Sequence, residues 1–132
     1  MLVFAKMLTK AAMDHLVKVF KALADPTRVA IVNQLAHEVL CVGALAQRLG
    51  LTQSAISQHL RVLREAGLVE GNKRSRWVHY SLSQQSLRET TVQIIMWLGQ
   101  LASEPAEPCA SGSPCLANDR RAARSSKPRS RR

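Results

Sequence analysis

The chain has 132 residues, enough for one domain with a single modest core. Its hydrophobic fraction of 46% marks a chain that folds, and a net charge of +10 points to a polyanionic partner, nucleic acid first. No run of about 18 apolar residues exists, so no membrane span is expected; "MLVFAKMLTK" lacks the marks of a secretory signal, so a cytoplasmic protein with reduced thiols is expected.

In chain order, residues 1–10 read as an N-terminal extension. Met13, Leu16, Val17, Phe20, Leu23 and Ala24 then recur with helical spacing and predict a first amphipathic helix. Asp25 is a good N-cap and Pro26 fits the first helical position, so a second helix runs to about His37. Val42, Leu45, Ala46 and Leu49 predict a short third helix ended by Gly50. A fourth follows, capped by Thr52, with Ile56, Leu60 and Leu63 as its buried stripe and Gly67 at its end.

After Gly67 the period changes from helical to alternating. Val78, Tyr80 and Leu82 alternate with Trp77, His79 and Ser81, which predicts a strand, and "LVEG" reads as its partner. "GNKRS" between them reads as a turn bearing Lys73, Arg74 and, just beyond, Arg76. "SLRE", Ser86 to Glu89, has the form of a capping box for a last, strongly apolar helix that Pro105 and Pro108 keep from continuing. The folded domain is thus expected at 11–102, and 103–132 as a flexible, Cys-containing, basic tail. From Asn118 that tail carries seven Lys and Arg against one Asp, a net +6, which leaves +4 on the rest. Such a tail adds salt-sensitive, non-specific affinity more readily than sequence reading.

Two helices joined by "GLT" form a helix-turn-helix pattern. The second leaves Gln53, Ser54, Ser57, Gln58, Arg61 and Arg64 facing out. Short polar residues at its N-terminal end suit base edges in a major groove, where Gln bonds adenine bidentately. Arg61 and Arg64 suit phosphates, and the cations at the hairpin, Lys73, Arg74 and Arg76, suit the flanking backbone or minor groove.

At these residues the chain resembles the ArsR/SmtB-type winged-helix repressors. "VFKALADPTRVAIVNQL", "VGALAQRLGLTQSAISQHLRVLREAGLVEG" and "RWVHYSL" carry the resemblance, which covers about Leu16 to Leu101. It implies a mainly α fold with a small β-hairpin, a winged helix-turn-helix in the order α-α-α-α-β-β-α. It implies a homodimer through the first and last helices and binding to double-stranded operator DNA. It also implies repression, as in arsenical resistance, relieved by a metal or another thiol-reactive inducer. His59 lies within the motif of the DNA-reading helix and is placed with the DNA-binding residues. The apolar circumference of the last helix agrees with a covered, dimeric face.

Members of this family differ mainly in the inducer site. The last helix offers Glu89 and no His, so the carboxylate-and-histidine zinc site is not expected; His15, His37, His59 and His79 are scattered. The arsenic-responsive version resembles Glu-Leu-Cys-Val-Cys-Asp-Leu, whereas this chain reads "EVLCVGAL". Cys41 matches; Gly43 stands where a second cysteine would be. Cys109 and Cys115 in "EPCASGSPC" are the candidates for the missing thiolates. Eight to fourteen extended residues from the last helix span roughly 25–45 Å, which reaches the third helix of either protomer. Three thiolates and no confident fourth ligand favour As(III) or Sb(III), which take three sulfurs, as inducer. Cd(II), Pb(II) or Zn(II) remain alternatives, as does a two-cysteine redox or persulfide sensor built on Cys41 and Cys109. No organic cofactor is expected. The lack of a Cys-x-x-Cys or an anion-cradling Gly-rich loop argues against a thiol enzyme such as an arsenate reductase.

Overall fold

The computed structural model describes residues 9–108. Among them, five helices and three strands follow in the order α1 (Lys10–Leu23), α2 (Pro26–Leu35), β1 (Leu40–Cys41), α3 (Val42–Leu49), α4 (Gln53–Glu65), β2 (Val69–Arg74), β3 (Trp77–Leu82) and α5 (Gln84–Ser103). The chain divides at Leu101 into one compact unit and a second, Ala102–Arg132, whose described residues 102–108 are exposed.

Local chemistry sets the helix ends. Thr9 caps α1 by accepting the Ala12 N–H at 3.3 Å, so the helix begins before the apolar pattern does, and Lys10 lies inside it. Asp25 Oδ1 accepts the N–H groups of Thr27 at 2.9 Å and Arg28 at 3.1 Å, with Pro26 in the first turn of α2. Thr52 Oγ1 takes the Ala55 N–H at 3.1 Å and starts α4. Gly50 and Gly67 close α3 and α4 with φ of +65° and +77°, a conformation that costs other residues more. After α4, Gly67 N–H reaches the Arg64 carbonyl at 2.9 Å and Leu68 N–H the Leu63 carbonyl at 3.0 Å, a Schellman ending.

The core collects one face from every element up to β2. Val19 and Ala22 of α1, Ile31 and Leu35 of α2, Leu45 of α3, and Ile56, Leu60 and Leu63 of α4 are buried together with Leu40, Leu68 and Val69. Each large aliphatic among them contributes about 1.5–3 kcal/mol by leaving water. Thus α3 and α4 are pinned from below, and the outer side of α4 is free to face a ligand.

Arg28 fixes the angle between the first helices. Its Nε donates to the Ala22 carbonyl and its Nη2 to the Lys21 carbonyl at 3.2 Å, occupying acceptors at the end of α1. Its Nη1 stands 3.8 Å from Asp25 Oδ2 and 3.5 Å from His59 Nδ1 on α4. The "DPTR" stretch is therefore a joint between α1, α2 and α4. The Asp25 carboxyl is held below its ordinary value: the Arg28 backbone N–H lowers it most, and the guanidinium and Thr27 N–H add to this against the opposing effect of burial.

The structure is mainly helical with a small antiparallel sheet, a winged helix-turn-helix. Besides the earlier start of α1 and the end of α2 at Leu35 rather than about His37, it differs from the sequence expectation at three further places. The first is β1, two residues too short to produce an alternating pattern, which joins the hairpin to give the strand order β1-β3-β2. The second is the hairpin turn. Gly71 to Arg74 are not loop but strand, paired with Tyr80 to Trp77, and the chain reverses in Ser75 and Arg76 with Ser75 at φ +58°. The third is α5, which starts at Gln84 rather than Ser86. Leu87 N–H bonds the carbonyl of the buried Ser83, so the Ser86–Glu89 pair sits inside the helix and caps nothing.

Candidate nucleic-acid interface and sensing cysteine

The outer face of α4 presents Gln53, Ser54, Ser57 and Gln58 at its N-terminal end and Arg61 and Arg64 further along, all exposed. This division follows from the stripe of Ile56, Leu60 and Leu63, which fixes the helix rotation. The orphan N–H groups and dipole of the N-terminus add a partial positive charge on the polar side. His59 is the exception among the expected contact residues: it is half-buried, and its Nδ1 faces Arg28.

Ser57, Arg61, Arg64 and Glu65 border a cleft of about 450 Å³ whose far wall is Tyr80 of β3. The cleft brings two guanidiniums, a hydroxyl and a phenol together with one carboxylate, a net positive lining that suits a phosphate. Arg61 is held by Glu65 at 3.2 Å, but both side chains are well exposed, so the pair is worth about 0–1 kcal/mol and yields readily to a phosphate. Tyr80 was not among the residues singled out from sequence. The alternation of β3 shows which face it occupies but not that α4 lies opposite. Gly71, its register partner, makes room for the ring: a Cβ there would stand 3.1 Å from Tyr80 Cε1 and 3.2 Å from Val78 Cγ1. Lys73 and Arg74 close β2, and Arg76 lies in the loop, all three exposed.

Cys41 lies at the seam between β1 and α3, half-buried, as the last residue before the helix. It pairs with His79 of β3, so both side chains share one face of the sheet. His79 Nδ1 is buried without a hydrogen-bond partner among the described residues. A Cβ on Gly43 would stand 4.0 Å from Cys41 Sγ and 3.7 Å from Gln53 Nε2. The thiol and the first residue of α4 thus border the same small space. Arg48 steadies this junction by donating to Glu38 Oε2 at 2.7 Å and Gln34 Oε1 at 3.2 Å. Among the described residues, no three His, Cys, Asp or Glu side chains form a metal-holding group. Cys109 and Cys115, expected to complete the Cys41 site, lie outside the described residues, as does the basic tail from Asn118.

A second surface is apolar. Phe20 of α1 packs on Trp97 of α5, with ring centroids 6.2 Å apart. On the same two helices Val17, Phe20, Val92, Ile95, Leu98 and Leu101 remain exposed. No helix among the described residues is long and apolar enough to cross a membrane.

Residues 25–71 match the family described as "Bacterial regulatory protein, arsR family". The arsenical resistance operon repressor of Escherichia coli is 47% identical over 68 residues, covering 51% of this chain and 58% of that protein. The HTH-type transcriptional regulator CmtR of Mycobacterium tuberculosis is 38% identical over 94 residues, covering 71% of this chain and 78% of the relative. A solved homodimeric winged helix-turn-helix DNA-binding domain from Mycobacterium bovis superposes with a TM-score of 0.57 at 25% identity, over 74% of this chain and 92% of that one. Against several curated relatives the chain spans only 54–65% of their length.

Proposed function

The chain belongs to the arsR family of bacterial regulatory proteins, whose members are DNA-binding regulators and not enzymes, and from this premise we propose that it is a transcriptional repressor released by a thiophilic inducer. As a homodimer it binds double-stranded operator DNA, with one α4 in the major groove of each half-site. The observation that carries this reading is the outer face of α4: polar at the helix N-terminus, cationic beyond it, and bordered by a cleft whose arginines face Tyr80. That order places base readers first and phosphate anchors behind them. His59, turned toward Arg28, supports the helix from behind rather than reaching the bases.

The dimer forms through α1 and α5. Ile95 at 64% and Leu101 at 58% exposure are expensive to leave in water, and a second copy covers them. The homodimeric structural neighbour supports this choice of partner.

The inducer is As(III) or Sb(III), bound by the thiolates of Cys41, Cys109 and Cys115. Support comes from the position of Cys41 at the start of α3, from the softness of sulfur donors, and from the arsenical resistance operon repressor among the relatives. Binding at Cys41 acts across Gly43 on Gln53 and displaces the reading end of α4. DNA and inducer then weaken each other by the same factor.

The test is a gel shift with a duplex recovered by selection from a random library. Wild type and the Cys41→Ser, Cys109→Ser and Cys115→Ser variants are challenged with arsenite, antimonite, cadmium, zinc and a persulfide donor. All four proteins bind the duplex, and each substitution blunts release by arsenite. Release of Cys41→Ser at the wild-type arsenite concentration overturns the site. Release by the persulfide donor alone replaces the arsenite reading with a two-cysteine redox sensor.

A further inference from the structure

Trp77 opens β3 directly after the hairpin loop and is 64% exposed. Tryptophan is on average a well-buried residue, so an indole this open calls for a ligand. The apolar face proposed for the dimer does not account for it, because that face is carried by α1 and α5 and Trp77 by the hairpin. Its surroundings are cationic. Arg74 is its register partner and so shares its face of the sheet, and Arg76 adjoins it in sequence, whereas Lys73 pairs with Val78 on the opposite face. A flat apolar plate with Arg74 beside it and Arg76 next to it in the chain is a poor seat for an apolar protein surface. It matches a polyanion that also offers apolar groups, and the deoxyribose rings between DNA phosphates are such groups.

We infer that Trp77 is a DNA-contacting residue of the wing. Its indole lies against the deoxyribose wall of the minor groove while Arg74 and Arg76 pair with the flanking phosphates. The alternation of β3 gives the placement. Val78 and Tyr80 share the face that borders α4, whereas Trp77 projects from the other. It therefore meets DNA outside the major groove that holds α4, in the minor groove beside it. Proteins that engage the minor groove commonly combine cations with an apolar side chain in this way. The inference rests on the DNA-binding reading above.

The experiment compares wild type with Trp77→Ala, Trp77→Phe and Arg76→Ala on the selected duplex across a series of salt concentrations, reading both affinity and tryptophan emission. Trp77→Ala binds about tenfold more weakly with an unchanged salt slope, as expected for an uncharged contact. Trp77→Phe retains most of the affinity. Arg76→Ala lowers the slope by about one. Wild-type emission changes on binding DNA, and Trp77→Phe, which keeps Trp97, loses that change.

The assignment is overturned by wild-type affinity in Trp77→Ala, by no emission change on binding, or by a slope in Trp77→Ala that falls as it does for lost cations. The last would mean that Trp77 only braces the hairpin. Trp77 emission that responds to a protein partner and not to DNA assigns the patch to that partner and overturns it too. A wild type that selects no duplex defeats the repressor reading together with this one, whereas a tight-binding wild type matched by Trp77→Ala defeats this one alone.

Discussion

Cys41 and Gln53 meet across Gly43: a Cβ at position 43 would touch the Cys41 sulfur at 4.0 Å and the Gln53 amide at 3.7 Å. These are ordinary contact distances, so a side chain fits there without backbone movement. They also set the thiol and the first residue of α4 on either side of Gly43.

Gly43→Cys therefore builds a second thiol beside Cys41 while α3 stays in place. We expect arsenite to release DNA from this variant at a concentration on the order of tenfold lower, through the higher effective concentration of the paired thiolates. Release should also persist when Cys109 and Cys115 are both replaced by Ser. A gel shift over an arsenite series checks this; equal sensitivity of Gly43→Cys and wild type refutes it.

On the proposed reading Gln53 meets a base and Arg64 a phosphate, so substitutions at the two should behave differently. Gln53→Ala should lose about 1–3 kcal/mol of discrimination at one base position and bind mismatched duplexes more evenly. Arg64→Ala should weaken binding to all sequences alike and lower the salt slope by about one. Binding titrations on a set of single-base variants at several salt concentrations distinguish the two.

Ile95→Asp puts a charge on the exposed apolar face of α5, where the residue is 64% exposed. The fold of the protomer should survive, because nothing in its own core depends on Ile95. Sedimentation should show a monomer, with much weaker operator binding because the two half-sites are no longer engaged together.

Asp25 gives a stability that depends on pH. Its folded pKa lies below the ordinary value, chiefly because the ionised carboxylate accepts the Arg28 N–H. The charged form is thus the stabilising one. Its contribution is complete above the unfolded pKa of about 4 and is lost as pH falls through the folded value. Wild type should exceed Asp25→Asn in melting temperature by a constant margin at neutral pH. That margin should close in acid below about pH 4. A margin that widens in acid refutes the assignment.

The helices were legible in the sequence where a cap announced them. Asp25 with Pro26, Gly50, and Thr52 each mark an end that local chemistry sets, and the structure keeps all of them. The hairpin misled because Gly71 and Asn72 are turn formers by habit. Here Gly71 serves space rather than curvature, letting the Tyr80 ring lie over its backbone, and that reason becomes visible only once the two strands are paired. Ser86 and Glu89 satisfied a capping pattern that Ser83 pre-empted, since the strand delivers the chain to Ser83 first. For the site, the outer residues of α4 followed from helical period alone. The Cys41–Gly43–Gln53 contact, the Tyr80 wall and the His59–Arg28 contact are long-range, and no spacing in the chain encodes them.

The strand order β1-β3-β2 leaves β2 as an open edge of the sheet, with every residue after Val69 exposed. Such an edge invites pairing with another unfolded or folded copy, and proteins commonly blunt it with charge. Lys73 and Arg74 sit on this edge. Positive charge at this position disfavours pairing with another copy of the same strand. Neutralising Lys73 and Arg74 would lower the yield of soluble protein as well as its grip on the operator, and wing variants should be compared only after their aggregation has been measured.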